Sequence, residues 1–317
     1  MASLSVQEAQ AIIDELQDEN GGMDAEERNK MTERMLKKNR KLEILAGESV
    51  ELVAKDLYDN DTRFIFELLQ NAEDNRYTTA AERQEAPFVH FTLHNDYLTV
   101  DSNEDGFTEA DVRSICSVHQ SSKVQSGGYI GHKGIGFKSV FKIAYKACIQ
   151  SGPFCFYFEY NRGDGGMAMI TPYHQAPQEL PFSVRTRITL WLLETKEFLT
   201  RASELQEVPD TLLLFLRKLQ VLKIDIPTLQ YSVSYQRRED VAQHLVRLSK
   251  RTANDEQRKL YHMQKNTLSN LPEHHSRQAQ DEIDLILAFP VDDSLNPIIE
   301  PQFVYSFLPM RREGFSV

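Results

Sequence analysis

A glycine-rich segment, SSKVQSGGYIGHKGIGFKSVF, has the composition of a phosphate-binding loop. It holds five glycines within ten residues, flanked by Lys123, Lys133 and Lys138, and an amphipathic helix is expected after it. Glycines let backbone N–H groups approach phosphate oxygens, the helix N-terminus adds partial positive charge, and lysines neutralise the remaining anion. The segment lacks the GxxxxGK[ST] pattern and the position of a dinucleotide fingerprint after a first strand. A flexible surface loop is the alternative interpretation.

The charge distribution supports an anion site in the same region. The chain has a net charge of −11, yet there is no Asp or Glu from Val112 to Phe158, a stretch that carries one arginine and five lysines. Such a gap in an acidic chain indicates local binding of an anion. The overall acidity argues against a protein that coats nucleic acid, because neutralising phosphates needs a surplus of Lys and Arg.

Three polar residues upstream have the spacing of one helix face. Glu67, Asn71 and Asp74 in FIFELLQNAEDN are four and three residues apart, which places them on one narrow stripe of an α-helix. The roughly opposite face carries Ile65, Leu68, Leu69 and Ala72. Taken alone, an amphipathic helix with a solvated polar side has the same pattern.

A polar turn lies between the helix and the glycine-rich segment. The strand YLTVDS runs into NEDGFTEADV, where Asp101, Asn103, Glu104 and Asp105 precede Gly106. Short polar side chains beside a glycine permit a tight turn and can accept a hydrogen bond from an amino group such as that of adenine. The alternative is a simple turn into a helix that Thr108 caps with Asp111 in a capping box.

Together, ELLQNAEDN, DGFTEAD and GHKGIGFKS resemble the N, G1 and G2 boxes of the GHKL ATPases, the superfamily of gyrase B, heat-shock chaperones, histidine kinases and MutL. Within it, the chain looks most like the NO VEIN-like and sacsin-like proteins, whose ATPase modules resemble those of the ninety-kilodalton heat-shock chaperones. The resemblance covers about residues 40 to 225, including VRTRITLWL and DTLLLFLRKLQVLKI. It implies an α+β fold, the Bergerat two-layer α/β sandwich, with a mixed sheet, helices on one face and ATP between them.

The resemblance also implies roles for individual residues. Glu67 would be the general base that orients the attacking water, Asn71 would ligate Mg²⁺, and Asp74 would support the nucleotide side of the helix. Thr186 would contact the adenine region. The glycine-rich segment would supply the lid hinge and phosphate loop, with Lys123, Gly127, Gly128, Gly131, His132, Lys133, Gly134, Ile135, Gly136, Phe137 and Lys138 at or near the nucleotide. Lys138 fits a solvated helix residue equally well.

The G1 box departs from the family pattern DxGxG. Here the sequence is Asp101-Ser102-Asn103-Glu104-Asp105-Gly106. Alignment without a gap puts Ser102 at the position that reads adenine, and a shift of one residue restores Asp101. Asn103 is a third candidate, since its side-chain carbonyl can accept the same hydrogen bond. All three alternatives stay open at the level of sequence.

The elements that must position these residues follow from periodicity. Four domain ranges are expected: a helical N-terminal extension (1–45), the domain that the resemblance implies is an ATPase (46–230), a polar connector expected to be helical (231–282) and the start of a second, truncated domain (283–317). Within them, PFVHFTLH and YLTVDS predict a β-hairpin through Asn95-Asp96. Helices are predicted from about 62 to 76, at Phe137 to Ala144 and at Thr211 to Leu222. Further strands are predicted at FCFYFEY, RTRITLWLL, LILAFPV and FVYSFLP.

Two functions are compatible with these residues. The first is a Mg²⁺–ATP-binding module that hydrolyses ATP slowly and drives lid closure in a chaperone-like or scaffold-like protein. The second is a module that binds the nucleotide without hydrolysis and regulates protein contacts. Expected partners are ATP and other proteins or further domains of a longer chain, with nucleic acid not expected. A histidine kinase is disfavoured because the nine histidines are scattered.

The remaining composition points to an intracellular protein. The sequence shows no signal-peptide pattern and no apolar stretch of the roughly 18 residues that a membrane span needs, so a cytoplasmic or nuclear location without membrane insertion is expected. The three cysteines, Cys116, Cys148 and Cys155, have no CxxC spacing. We interpret them as free thiols in or near the core.

Overall fold

The structure is a computed structural model that describes residues 4–20, 30–37, 41, 44, 63–117, 136–161, 166–193, 198–269, 282–299, 305–306 and 308–309. The chain forms two compact units. The first comprises Met1–Glu207 and Ile224–Tyr231, and the second comprises Val208–Lys223 and Ser232–Val317.

Short helices are distributed mainly through the first unit. The α-helices are α1 (Val6–Glu19), α2 (Arg63–Asp74), α3 (Thr78–Glu82), α4 (Glu109–Ile115) and α5 (Phe198–Gln206). The 3₁₀ helices are Gly136–Lys142, Gly166–Met169, Asp210–Phe215, Pro227–Leu229 and Val241–Gln243. Capping boxes begin two of these helices, Ser5 with Glu8 at α1 and, as predicted, Thr108 with Asp111 at α4, so these helix starts are encoded locally.

Strands make up most of the remaining structure. They are β1 (Phe88–Leu93), β2 (Tyr97–Ser102), β3 (Ala144–Ser151), β4 (Phe154–Glu159), β5 (Tyr173–His174), β6 (Thr186–Leu192), β7 (Val221–Ile226), β8 (Tyr231–Asp240), β9 (Leu245–Thr252), β10 (Glu256–Ser269), β11 (Glu282–Val291), β12 (Tyr305–Ser306) and β13 (Leu308–Pro309). Hydrogen bonds order the first eleven as β11-β10-β9-β8-β7-β1-β2-β6-β3-β4-β5, and β12 pairs with β13.

In the first unit, β1 and β2 form the predicted antiparallel hairpin. Val89 pairs with Ser102 and Leu93 with Leu98, and the amide of His94 donates to the carbonyl of Tyr97 across the turn. The burial of β1 alternates strictly, as expected for a strand with one face in the core. The hairpin prediction is therefore confirmed.

Helix α1 packs on the body of the first unit through one apolar stripe and a polar end. Ala9, Ile13 and Leu16 are at most 4% exposed. At the C-terminal end, the side-chain amide of Asn20 donates to the carbonyls of Cys116, at 3.2 Å, and Ile170, at 3.1 Å. These contacts join the start of the chain to segments about 100 to 150 residues away.

The second unit contains an antiparallel arrangement of β8, β9, β10 and β11. Asp240 pairs with Leu245 across β8 and β9, His262 with Leu245 across β9 and β10, and His262 with Phe289 across β10 and β11. One side of these strands is in a core with the 3₁₀ helix Asp210–Phe215. This buried set comprises Val233, Tyr235, Val246, Leu248, Tyr261, Leu212, Leu213 and Leu214.

The expected two-layer α/β sandwich of the Bergerat type, with helices on one face of a mixed sheet, is wrong. Over the described ranges the structure is mostly sheet, with eleven strands in one hydrogen-bonded order and few helices. The main reason is that the polar connector 231–282, expected to be helical, consists mainly of strands β8, β9 and β10 over its described residues, with the 3₁₀ helix Val241–Gln243 between β8 and β9. Their polar residues are tolerated because an antiparallel sheet can face water on one side.

Two further helix predictions are also wrong. The segment from Phe137 forms only the 3₁₀ helix Gly136–Lys142, and Ala144 begins strand β3. The apolar stretch from Thr211 to Leu222 divides into the 3₁₀ helix Asp210–Phe215 and the start of β7. None of the helices in the described ranges is both long and apolar enough to cross a membrane.

Candidate functional site

The predicted base and the end of the glycine-rich segment are in direct contact. Glu67 lies on α2, and Gly136 begins the 3₁₀ helix that packs against α2. A Cβ atom added to Gly136 would overlap the carboxylate of Glu67 and would lie 3.1 Å from its Cδ. The backbone of Gly136 therefore approaches Glu67 as closely as only a glycine allows.

The polar residues of α2 become more buried toward the C-terminal end of the helix. Glu67 and Asn71 are half-buried, and Asp74 at the C-terminal end is 7% exposed. The opposite side of α2 is in the core, with Ile65, Leu68, Leu69 and Ala72 each 8% exposed or less. The sequence pattern thus places Glu67 and Asn71 one turn apart on the accessible side of the helix.

The polar turn after β2 is fastened to the C-terminal end of α2. The side-chain amide of Asn75 donates to the Glu104 carboxylate, and the amide of Asp105 donates to the carbonyl of Arg76 at 2.8 Å. Tyr77 is buried and donates its hydroxyl to the carbonyl of Ala72. Burial raises the pKa of Tyr77 well above its ordinary value, and the nearby Glu104, Glu73 and Asp105 carboxylates raise it further.

Asp105 holds the start of α3. Its carboxylate accepts hydrogen bonds from the amides of Thr78 and Thr79, at 2.9 and 2.8 Å, and from the Thr79 hydroxyl. Burial raises the pKa of Asp105, but the hydrogen bonds from Thr79 and Thr78 outweigh it, and the pKa lies below its ordinary value. The next residue, Gly106, has a φ of 95°, which a side-chain-bearing residue rarely adopts.

The register of β2 assigns its two terminal residues to different faces. Successive residues of a strand point to opposite sides. Ser102 pairs directly with Thr186 of β6, whereas Asp101 pairs with Arg187. Ser102 therefore shares the face of Thr186, and Asp101 lies on the other face. Of the two G1 alternatives that lie in β2, Ser102 is the one on the same side as the predicted nucleotide contact Thr186.

Three hydroxyls form a buried row on the face of Ser102. Thr186 pairs with Ser102 on one side and with Ser151 of β3 on the other, and all three residues are at most 5% exposed. The hydroxyl oxygens of Ser151 and Thr186 are 2.6 Å apart, and Ser151 also accepts a hydrogen bond from the amide of Phe107 at 2.8 Å. Hydroxyls both donate and accept hydrogen bonds, so this row can bind either a donor or an acceptor group of a ligand.

The other two G1 candidates are engaged by the protein itself. The carboxylate of Asp101 accepts two hydrogen bonds from the guanidinium of Arg187, both at 2.6 Å. The hydrogen bond to Asp101 raises the pKa of Arg187. Asn103 is fully buried; it accepts from the amide of Phe88 at 2.9 Å and donates to the carbonyl of Ala86 at 3.0 Å. The side chains of Asp101 and Asn103 therefore make hydrogen bonds within the protein.

Lys138 does not face solvent. It is 3% exposed, donates to the carbonyl of Ile115 at the end of α4, and lies 5.2 Å from the ring centroid of Phe158. Burial lowers the pKa of Lys138 to about 8, although the neighbouring Cys116 thiol opposes the shift. Burial also raises the pKa of Cys116, to about 12. The side chain of Lys138 thus contacts the core, while Phe137 beside it is also buried.

Part of the predicted site lies outside the described residues. These positions are Lys123, Gly127, Gly128, Gly131, His132, Lys133, Gly134 and Ile135. Within the described ranges, no group of three or more His, Cys, Asp or Glu side chains is arranged to hold a metal ion. The predicted Mg²⁺ ligand, Asn71, is an amide and depends on other oxygens to complete a shell.

Sequence reasoning did not find two residues of this region, Ser151 and Arg187. Ser151 ends β3. This strand was not predicted, because the apolar residues from Phe137 to Ala144, just before it, have helical spacing. Arg187 stands in the predicted strand RTRITLWLL, and its alternation with Thr186 was the available signal. The partner of Arg187 could not be inferred without the register between β2 and β6.

Comparison with known proteins gives two matches. Residues 55–159 match the sacsin domain family. Over 256 residues, 75% of this chain, the sequence is 31% identical to Protein NO VEIN of Arabidopsis thaliana. The chain is similar to sacsin-like and NO VEIN-like proteins. It spans only 9% of the length of Protein NO VEIN. The sacsin-like stretch includes Glu67, Ser102 and Gly136 and ends before Thr186.

Proposed function

We propose that this sacsin-like, NO VEIN-like chain is a nucleotide-binding module that takes ATP with Mg²⁺. The observation that carries the proposal is the contact between Glu67 and Gly136. It brings a half-buried carboxylate to the end of a glycine-rich, lysine-flanked segment whose composition suits phosphate. A base and an anion-binding backbone at one place are the elements of phosphoryl chemistry.

The residues of α2 fit the metal-bound triphosphate. Mg²⁺ prefers oxygen ligands and keeps several waters, so the amide oxygen of Asn71 suffices as a single protein ligand. When bound, the metal neutralises charge on the phosphates. Glu67, one turn earlier, is positioned to orient a water and take its proton. A positioned general base is worth about 10² to 10⁴ in rate.

The hydroxyl row supplies the polar contacts for the base of the nucleotide. Ser102 and Thr186 lie side by side on a buried sheet face, where an unpaired polar group costs about 1 to 3 kcal/mol. A ligand that hydrogen-bonds there is therefore selected over an apolar one. Lys138 is assigned no part in phosphate binding, because it is buried and bonded to Ile115. Slow hydrolysis of ATP, linked to closure of the glycine-rich segment in a chaperone-like or scaffold-like protein, is the activity that follows.

One observation favours a second candidate, a module that binds a nucleotide without hydrolysing it. Asp101 is bonded to Arg187 on the other face from Thr186. The strongest available acceptor for an adenine amino group is thus engaged elsewhere, and hydroxyls bind such a group less strongly than a carboxylate does. Weak, regulatory binding would then replace turnover.

The test is calorimetric titration of ATP with Mg²⁺, together with a phosphate-release assay. We expect binding by the unchanged chain and its loss in Asn71→Ala, with Asn95→Ala as the matched control, since Asn95 lies in the β1–β2 turn and bonds Thr228. Glu67→Gln should keep binding and lose phosphate release, with the exposed Glu82→Gln as its control.

The outcomes separate the two candidates. Binding that depends on Asn71, with phosphate release that depends on Glu67, supports the ATPase. Binding without measurable release in any variant supports the regulatory module. An unchanged chain that binds no nucleotide at millimolar concentration, or Asn71→Ala and Asn95→Ala titrating alike, contradicts both.

A further inference from the structure

The second unit carries an exposed apolar stripe along β11. Leu285, Leu287 and Phe289 alternate along the strand and therefore point to the same side, and they are 40%, 37% and 40% exposed. Their side is opposite to that of the buried Pro290, whose partner in β10 is the core residue Tyr261. The stripe is thus on the outer face of this part of the sheet.

Two arginines occupy the same outer face. Arg238 pairs directly with Arg247, Arg247 with Leu260, and Leu260 with Val291, which shares the side of Phe289 but is itself buried. Both arginines are exposed. We call Arg238, Arg247, Leu260, Leu285, Leu287 and Phe289 the arginine–leucine face. It combines positive charge and apolar surface in a chain whose net charge is −11.

The arginine pair is electrostatically unfavourable in the isolated protein. Like charges directly opposite each other in a sheet destabilise it. Within the described residues, neither guanidinium has a carboxylate within 4.0 Å, whereas Arg251 and Arg258 on the same face both pair with Glu256. Among the described residues, Asp240 follows Arg238 by two positions on the same side of β8. Its carboxylate accepts a hydrogen bond from the amide of Gln243. The pair is therefore complementary to negative charge from outside.

We propose that the arginine–leucine face binds an acidic amphipathic helix of another protein. Leu285 to Phe289 span roughly 13 Å along the strand, and apolar residues on three successive turns of a helix span about 11 Å. A helix lying along β11 can therefore place one apolar side on the stripe and Glu or Asp side chains toward Arg238 and Arg247. This binding site is separate from the nucleotide site and does not depend on it.

The experiment measures fluorescence anisotropy of a designed helical peptide against the 317-residue chain. The peptide has leucines on one side and glutamates on the other, and a second peptide has lysines in place of the glutamates. We expect binding of the glutamate peptide only, weakened by salt. Arg247→Glu and Leu287→Ser should each reduce its affinity about tenfold or more.

The matched control is Lys265→Glu, the same charge change at an exposed residue on the opposite side of β10. Its affinity should match that of the unchanged chain, and circular dichroism should show all variants folded. Equal binding of the two peptides, no binding of either, or an equal loss in Lys265→Glu overturns the proposal. Binding of anionic vesicles that competes with the peptide through the same residues also overturns it, because the face would then be a lipid-binding surface.

Discussion

The carboxylate of Glu67 fills the space that any side chain at Gly136 would need. Gly136→Ala should therefore destabilise the first unit by about 1 to 3 kcal/mol through overpacking. It should also impair nucleotide binding, because the added side chain displaces the backbone of Gly136 at the end of the proposed phosphate-binding segment. Urea unfolding measures the first effect and calorimetry the second.

A double substitution tests whether the clash with Glu67 causes the loss of stability in Gly136→Ala. If the clash with Glu67 is responsible, Glu67→Ala combined with Gly136→Ala should cost less than the sum of the two single changes. Additive losses would show that the alanine disturbs something other than Glu67.

The buried hydroxyl pair makes Ser151→Ala costly. The change removes the 2.6 Å contact with Thr186 and the acceptor for the amide of Phe107. Because the Thr186 hydroxyl stays buried and the Phe107 amide stays half-buried, we expect a loss of about 1 to 3 kcal/mol in the free energy of unfolding. Ser232→Ala, at an exposed position of β8, is the control and should be nearly neutral. Similar values for the two variants would refute the structural role of Ser151.

The two faces of β2 predict opposite phenotypes for neighbouring residues. Asp101→Asn weakens the paired hydrogen bonds from Arg187 and should lower stability by about 1 to 3 kcal/mol, with nucleotide affinity unchanged. Ser102→Ala should lower nucleotide affinity, because Ser102 shares the face of Thr186. The measurements are urea unfolding and calorimetric titration of each variant. A loss of affinity in Asp101→Asn alone would reverse the assignment.

Lys138 makes stability depend on pH in the alkaline range. Burial lowers its pKa from 10.5 to about 8, so between these values the unfolded chain holds the proton more tightly and stability rises with pH. Below pH 8 the penalty is fully present, at about 3 kcal/mol. Relative to Lys138→Met, the unchanged chain should therefore gain stability from pH 7 to 10.5, as measured by urea unfolding. A constant difference between the two proteins would contradict the burial of a charged Lys138.

Asn20 is expected to control the docking of α1. Its side chain donates to two carbonyls, and its own carbonyl accepts from the hydroxyl of Thr171 at 3.1 Å. Asn20→Ala should increase hydrogen exchange in residues 6–19 while leaving β1 and β2 protected. Asp18→Ala, at an exposed position of the same helix, serves as the control. Equal exchange in both variants would mean that the hydrogen bonds of Asn20 do not hold α1 in place.

The parts of the fold that were predicted correctly depend on residues that are close together in the sequence. The β1–β2 hairpin and the capping box of Thr108 depend on a few neighbouring residues and a short turn, which the sequence displays directly. The helix predicted from Phe137 failed because apolar residues three and four apart suit a 3₁₀ turn as well as an α-helix. That β3 begins at Ala144 depends on its pairing with β4, the next strand along the chain, and with β6, which is distant in sequence.

In the second unit, the strands could not be predicted from the sequence for a different reason. Val233 and Tyr235, and likewise Val246 and Leu248, alternate with exposed or half-buried polar residues, but the apolar positions are too sparse to stand out within a highly charged stretch. In the candidate site, spacing alone placed Glu67 and Asn71 on one helix side. The choice between Asp101 and Ser102 needed the register of β2 against β6, because a shift of one residue exchanges the two faces of a strand.

Helix α1 also has a consequence for the nascent chain. Its end and its side chains bond to residues made much later, as in the 2.7 Å contact between Asp14 and His174, which are 160 residues apart. At a synthesis rate of about 5 to 20 residues per second, that interval lasts roughly 10 to 30 seconds. During this time Ala9, Ile13 and Leu16 have no docking surface, so on the ribosome they must be tolerated in water or held by a chaperone.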